Sequence, residues 1–175
     1  VIYIPDRLSE GYGPNVPAMT KLARDGAKVI VTVDCGTQAH AALAAAKAEG
    51  ADVVICDHHL PGETLPQAFA IANPNRHDDT SGLGQLAAVG VAFLLCVALN
   101  RTLRDIGWFA TREEPDLRKW LSIVALGTVA DVVPLKGVNR AFVTRGLIGA
   151  RGCVAGITAL MDVAGLNGTL EPYHL

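Results

Sequence analysis

The chain has 175 residues, of which 50% are hydrophobic and 18% are charged, and its formal net charge is −2 at pH 7. This composition excludes a disordered chain and suffices for about one domain with a sizeable core. The longest apolar stretch, 86–99, is shorter than the roughly 20 residues of a membrane span, so we expect no membrane association. The charge provides no basic surface for a nucleic acid, although bound divalent cations would add positive charge that a residue count misses.

Strand and helix patterns alternate in the first half of the chain. Short apolar runs, often β-branched, predict strands, and helical patterns closed by glycine separate them. The predicted elements are a strand at 1–4, a helix ending near 25, a strand at 28–33, a helix at 38–49, a strand ending at 56 and a short strand at 69–72. Apolar strands joined by helices indicate a parallel sheet covered on both sides. The front half is therefore predicted to be α/β, with ligands binding at the carboxyl ends of its strands.

Helical patterns alone fill the second half, after a polar, glycine-rich loop at 77–84. Helices are predicted at 86–106, 117–130, 140–150 and 156–163. These patterns divide the chain into a parallel-sheet α/β region at 1–80 and a mostly helical continuation of the same core at 81–175. The chain opens without Met, within a strand pattern, and without a signal peptide. We therefore expect a fragment of a longer cytoplasmic protein.

Acidic and imidazole side chains directly follow two of the predicted strands. Asp34 ends the first of them, and Asp57, His58 and His59 end the next. Asp131 stands in an apolar run, where an unpaired charge would be costly. Mg²⁺ and Mn²⁺ prefer carboxylates, and Mn²⁺ also accepts imidazole. Because two such ions about 3.5 to 4 Å apart can hold both the attacking water and the leaving oxygen of a phosphoryl transfer, the pattern predicts a metal site for that chemistry.

Each of these residues also has a simpler interpretation when it is taken alone. Asp34 could cap the following helix, residues 57–59 could form a solvated corner after a strand, and Asp131 could be a surface acid at a helix end. Independent surface acids have no reason to follow two parallel strand ends. Their joint occurrence therefore favours the metal site.

The same residues carry a resemblance to a known family. Asp-His-His at 57–59 after an apolar strand, with Val-Asp at 33–34 before it and Gly-Thr-Val-Ala-Asp at 127–131 after it, resembles the DHH phosphoesterase superfamily. Within that superfamily the chain resembles the RecJ-like single-stranded-DNA-specific exonucleases. The phrases that carry this closer resemblance are RLSEGYG at 7–13, TVDCG at 32–36, DHHLPGETLP at 57–66, NPN at 73–75, VGVAF at 89–93 and the run at 126–135.

The resemblance implies a role for each matching residue. Asp34 would bridge two metal ions, and His58 and Asp131 would each bind metal. Asp57 would be a supporting or ligating carboxylate, and His59 would face the scissile phosphate. The implied cofactor is a pair of Mn²⁺ or Mg²⁺ ions.

The implied reaction is metal-dependent hydrolysis of single-stranded DNA from its 5′ end, in DNA repair and recombination. The implied partners are single-stranded DNA and other repair proteins. The family's aspartate-rich first motif would precede Val1, so the resemblance implies that these 175 residues alone bind metal poorly and lack nuclease activity.

Three further residues are candidates for substrate contact. Arg7 and Arg76 could contact phosphate, and Tyr12 could stack on a base. A structural or solvated role is the alternative for each of them.

Two other functions stay open. The same metal chemistry could act on short oligonucleotides, cyclic dinucleotides or pyrophosphate, or the chain could be a non-catalytic DHH scaffold. The presence of every ligand expected within this segment favours an enzyme.

Overall fold

The computed structural model of the protein describes residues 1–148, 150–152, 154–168, 170–171 and 174. The chain divides into two compact units, residues 1–84 and residues 85–175. The first unit contains a parallel sheet with helices, and the second unit is helical within the described residues. The prediction of an α/β fold with flanking helices and a mostly helical second half is confirmed.

A parallel sheet of three strands forms the centre of the first unit. Its strands, in spatial order, are β1 (Val29–Val33), β2 (Asp52–Cys56) and β3 (Ala70–Ala72), and its helices are α1 (Val16–Arg24) and α2 (His40–Ala48). Val29 pairs with Asp52 and Val33 with Cys56, so β1 and β2 end level with each other. This register brings positions 34 and 57 to the same edge of the sheet.

Local chemistry explains why the first helix begins and ends where it does. Asn15 caps α1, because its side-chain oxygen accepts a hydrogen bond from the backbone N–H of Ala18 at 2.8 Å. Gly26, at φ +102°, follows the helix in a conformation that favours glycine. The apolar faces of α1, α2 and the two longer strands form the core of this unit, which includes Met19, Ala23, Ile30, Leu43, Ala46, Val53 and Ile55.

Two predictions for the sheet are wrong. Residues 1–4 form no strand, and Ile2 and Ile4 are exposed, because a strand needs a neighbouring backbone and no described segment pairs with this one. The sheet is also not covered on both faces at β1, where Ile30 is buried but Val29 and Val31 are more than half exposed. β-branched residues favour the strand conformation itself, so an apolar run does not by itself indicate two buried faces.

The second unit is built from four described helices. They are α3 (Ala88–Asp105), α4 (Leu121–Ala130), α5 (Gly137–Leu147) and α6 (Ala155–Val163), with 3₁₀ turns at Trp108–Ala110 and Leu117–Trp120. The helix predicted from 117 therefore begins as a 3₁₀ turn. The hydrophobic core of the second unit includes Val143, Leu147, Ile157 and Met161. Among the helices of the described residues, none combines the length and the apolarity that crossing a bilayer requires.

Candidate metal centre

Asp34 lies one residue beyond β1 in an unusual backbone conformation. Its φ of +60° is in the left-handed region, which an Asp tolerates better than most residues. Its N–H donates to the carbonyl of Cys56 at 2.9 Å, and its own carbonyl accepts a hydrogen bond from the Tyr12 hydroxyl. The main chain of this residue is thus held on both sides while its carboxylate stays more than half exposed.

The structure brings the carboxylate of Asp34 to the two histidines that follow β2. Oδ1 of Asp34 lies 3.4 Å from Nε2 of His58. One ligand atom each from Asp34, His58 and His59 lies within 4.8 Å of the other two. A carboxylate oxygen and two imidazole nitrogens in this arrangement form a donor set that fits a divalent cation such as Mn²⁺.

Asp57 is buried beneath this cluster, with 1% of its surface exposed. One carboxylate oxygen accepts a hydrogen bond from the N–H of Thr37 at 3.0 Å, and the other accepts from Nδ1 of His59 at 2.7 Å. Burial raises the pKa of the Asp57 carboxyl, but the hydrogen bonds from Thr37 and His59 outweigh it and lower the pKa to about 2. Since both oxygens already have protein donors, the geometry favours a supporting role for Asp57 over direct metal ligation.

The Asp57 contact also determines which nitrogen of His59 is available. An ionised carboxylate only accepts hydrogen bonds, so Nδ1 of His59 carries the proton that it donates. Nε2 of His59 remains for a ligand, and it lies 3.4 Å from the Tyr12 hydroxyl. The sequence pattern included His59 among the candidate metal ligands and the resemblance gave it the scissile phosphate, and the structure groups it with Asp34 and His58 as residues that could hold a metal ion.

Asp131 belongs to the second unit. It follows α4, and its N–H donates to the carbonyl of Gly127 at 3.0 Å. The next residue, Val132, has a φ of +57°, so the chain turns sharply after the acid. The predicted convergence of Asp131 with Asp34 and His58 stays a prediction.

The candidate substrate contacts differ in their surroundings. The Arg7 guanidinium lies 4.8 Å from the ring centroid of Tyr12, and that ring meets His59 edge to face at 5.9 Å between centroids. Tyr12 therefore lies next to the group formed by Asp34, His58 and His59, and Arg7 packs against Tyr12. Arg76 instead forms a two-pronged ion pair with Asp78 and donates to the carbonyl of Ile71 at 2.9 Å, which supports its structural interpretation.

Sequence reasoning missed several polar residues that surround the cluster. Thr37, Asn73 and Asn75 all hydrogen-bond to residues 57–59 or to one another. The Asn-Pro-Asn phrase at 73–75 contributed to the resemblance, but no role was assigned to it. Its position directly after β3, at the same sheet edge, is the signal that could have revealed it.

With this fold and site, the class of protein is clear: the chain belongs to the DHH family, since residues 1–128 match "DHH family, N-terminal domain". It is 49% identical over 165 residues to the single-stranded-DNA-specific exonuclease RecJ of Dickeya dadantii and 47% identical to that of Escherichia coli. Each match covers 92% of this chain and 29% of the relative. The chain thus spans less than a third of these proteins, and the resemblance found in the sequence is confirmed.

A solved structure agrees with this assignment. The structure of exonuclease RecJ bound to manganese superposes with a TM-score of 0.78 at 33% sequence identity. The match covers 98% of this chain and 41% of that one.

Proposed function

We propose that the chain forms part of the catalytic core of a single-stranded-DNA-specific exonuclease, a hydrolase that removes nucleotides from the 5′ end in DNA repair and recombination. The observation that carries the proposal is the group of Asp34, His58 and His59 at the carboxyl edge of a parallel sheet. The chain that holds this group is 49% identical to a RecJ exonuclease.

The proposed metal ligands are Asp34, His58 and Asp131, with Asp57 as the carboxylate that supports them. Two Mn²⁺ or Mg²⁺ ions are proposed, and Mn²⁺ is favoured by the imidazole ligands and by the manganese in the related RecJ structure. A bound cation would polarise the phosphodiester, acidify a coordinated water and offset the negative charge of the DNA.

His59 is proposed to contact the scissile phosphate. Because its Nδ1–H donates to Asp57, the ring is fixed and Nε2 is the atom available to the phosphate or to a metal ion. The His59 side chain is 46% exposed, so substrate can reach it. The fixed ring places this nitrogen in one position before substrate binds.

Arg7 and Tyr12 are proposed to contact the DNA strand beside the metal ions. Arg7 carries a positive charge next to an aromatic face, a combination that suits a phosphate and a neighbouring base. Arg76 stays a weaker candidate, since Asp78 already pairs with its guanidinium. Residues 1–80 and 81–175 are proposed as two parts of one catalytic core in a cytoplasmic enzyme that works with other repair proteins.

The test uses the full-length product of the gene that encodes these 175 residues. It is incubated with Mn²⁺ and 5′-labelled single strands, duplexes or a dinucleotide. We expect release of mononucleotides from single strands, and an activity loss of about 100-fold or more for Asp34→Ala and His58→Ala, as for lost metal ligands. His40→Ala, on an exposed histidine outside the cluster, is the matched control and keeps its activity.

Two outcomes would contradict the proposal. Rapid cleavage of the dinucleotide with single strands spared would indicate another DHH phosphoesterase. No cleavage together with no Mn²⁺ binding would indicate a non-catalytic scaffold.

A further inference from the structure

We propose that Asn73 and Asn75 are positioning residues, which hold the main chain of His58 and His59 so that both imidazoles meet Asp34. This inference rests on the proposed function, because it concerns the same metal centre. It begins from the short segment after β3, which supplies two side-chain amides to the loop that follows β2.

Asn73 holds the carbonyl of His59. Its Nδ2 donates to that carbonyl at 2.9 Å and to the Thr37 hydroxyl at 2.9 Å. Its side-chain oxygen accepts from the N–H of Asn75 at 2.8 Å, so both ends of the amide are bonded. With 4% of its surface exposed, Asn73 is shielded from water that could replace these bonds.

Asn75 holds the carbonyl of His58 in the same way. Its Nδ2 donates to that carbonyl at 2.5 Å and to the carbonyl of Gly84 at 3.1 Å. A Cβ at Gly84 would lie 2.6 Å from the side-chain oxygen of Asn75. The close approach of Asn75 to the main chain at position 84 therefore depends on a glycine there.

Asp57 completes the arrangement from the other side. Its Oδ1 accepts hydrogen bonds from the N–H of His58 at 2.8 Å and of His59 at 3.2 Å. All four main-chain polar groups of the two histidines are thus bonded, two to Asp57 and one to each asparagine. A fixed main chain limits where each imidazole can lie, and metal affinity depends on such outer contacts.

The experiment compares Asn73→Ala and Asn75→Ala in the full-length gene product. Mn²⁺ affinity is measured from the electron paramagnetic resonance of free Mn²⁺, and kcat and KM on single-stranded DNA are measured at several Mn²⁺ concentrations. We expect Mn²⁺ to bind about 10-fold to 100-fold more weakly in each variant, the usual effect of losing an outer contact of a ligand. The activity lost at low Mn²⁺ is recovered as Mn²⁺ increases, while KM for DNA changes less than the Mn²⁺ affinity.

Asn100→Ala is the matched control. Asn100 is also a buried asparagine whose amide donates to a main-chain carbonyl, that of Pro115 at 3.1 Å, but in the second unit. We expect this variant to lose stability and keep the Mn²⁺ affinity of the wild type. Circular dichroism identifies any variant that fails to fold, and the less buried Asn75 then provides the comparison.

The outcomes separate this inference from the proposed function. If the wild type binds Mn²⁺ and the folded asparagine variants bind it equally well, the inference is overturned and the proposed function stands. If the wild type neither binds Mn²⁺ nor cleaves DNA, the proposed function is overturned. In that case the histidine ¹⁵N NMR spectrum of the metal-free protein tests the positioning role of Asn73 and Asn75. Loss of the fixed Nδ1–H form of His59 in the asparagine variants supports that role, and an unchanged spectrum overturns it.

Discussion

The carboxylate of Asp57 accepts two hydrogen bonds from His59, one from Nδ1 at 2.7 Å and one from the backbone N–H at 3.2 Å. Asp57 therefore fixes both the ring and the main chain of His59, which lies two positions further along the chain. Because Asp57 is buried and ionised, its charge contributes to the stability of the first unit as well as to the order of the site.

This contact predicts a pH dependence of stability. The pKa of Asp57 falls from its ordinary 3.8 to about 2 in the folded protein, so the unfolded chain takes up the proton first as the pH falls. The stabilisation, about 2 kcal/mol, is complete above the unfolded pKa and is lost as the pH falls through about 2. Urea unfolding between pH 5 and pH 2, followed through NMR amide signals of residues 1–84, measures it.

The comparison is with Asp57→Asn, in which no carboxyl titrates at this position. The wild type should lose about 2 kcal/mol more stability than this variant over the same pH range. Equal losses in the two proteins would show that the charge of Asp57 does not stabilise the fold.

The backbone at Asp34 predicts a difference between two variants that both remove the carboxylate. At φ +60°, alanine has an unfavourable contact between its Cβ and the backbone, whereas glycine has none. We expect Asp34→Ala to be less stable than Asp34→Gly by about 1 kcal/mol, despite the greater flexibility of unfolded glycine. Both should lose Mn²⁺ binding. Urea unfolding gives the stability, and an alanine variant as stable as the glycine variant would contradict a left-handed residue here.

We expect the hydroxyl and the aromatic ring of Tyr12 to have separable roles, the first in stability and the second in DNA binding. Burial, and then the nearby charge of Asp34, raise the pKa of Tyr12 to about 12, so its hydroxyl stays protonated and donates to the Asp34 carbonyl. Tyr12→Phe should lower the free energy of unfolding by about 1 kcal/mol and leave KM for single-stranded DNA unchanged.

Tyr12→Leu, which also removes the aromatic ring, should raise that KM by about 5-fold to 100-fold, as expected for a lost stacking contact. Steady-state kinetics on single strands measures both variants. A KM that is unchanged in the leucine variant would exclude stacking by Tyr12 and leave only its hydrogen bond to Asp34.

The packing around Gly146, in the second unit, leaves no room for a side chain. A Cβ there would lie 2.1 Å from the carbonyl oxygen of Leu121 and 2.6 Å from Cβ of Ala125, so α4 and α5 would have to separate. Gly146→Ala should lower the free energy of unfolding by about 3 kcal/mol, measured by tryptophan fluorescence in urea, since both tryptophans lie in this unit.

Gly156→Ala is the matched control for that change. Gly156 also lies in a helix, α6, but nothing is within 4 Å of an added Cβ, so alanine should leave stability equal or slightly higher. Equal stability of the two variants would contradict the close packing of α4 on α5.

The amino-acid sequence was enough to predict the approximate positions of the α-helices, the three strands from 29 to 72 and the sheet edge that Asp34 and Asp57 share, although the helix predicted at 140–150 lies at Gly137–Leu147. These depend on periodicity and on the propensities of neighbouring residues, which a single chain displays directly. It also determined the family, because the phrases around the Asp-His-His motif are specific in their order.

The partners of each residue are visible only in the folded protein. The apolar run at 1–4 has strand propensity but no described strand beside it, and Val31 is apolar yet half exposed. The resemblance left Asp57 as either a supporting or a ligating carboxylate, and only the folded protein shows that its oxygens accept hydrogen bonds from Thr37 and His59. Strand pairing, burial and side-chain hydrogen bonds all join residues far apart in the chain, and the local pattern of a sequence carries little information about such contacts.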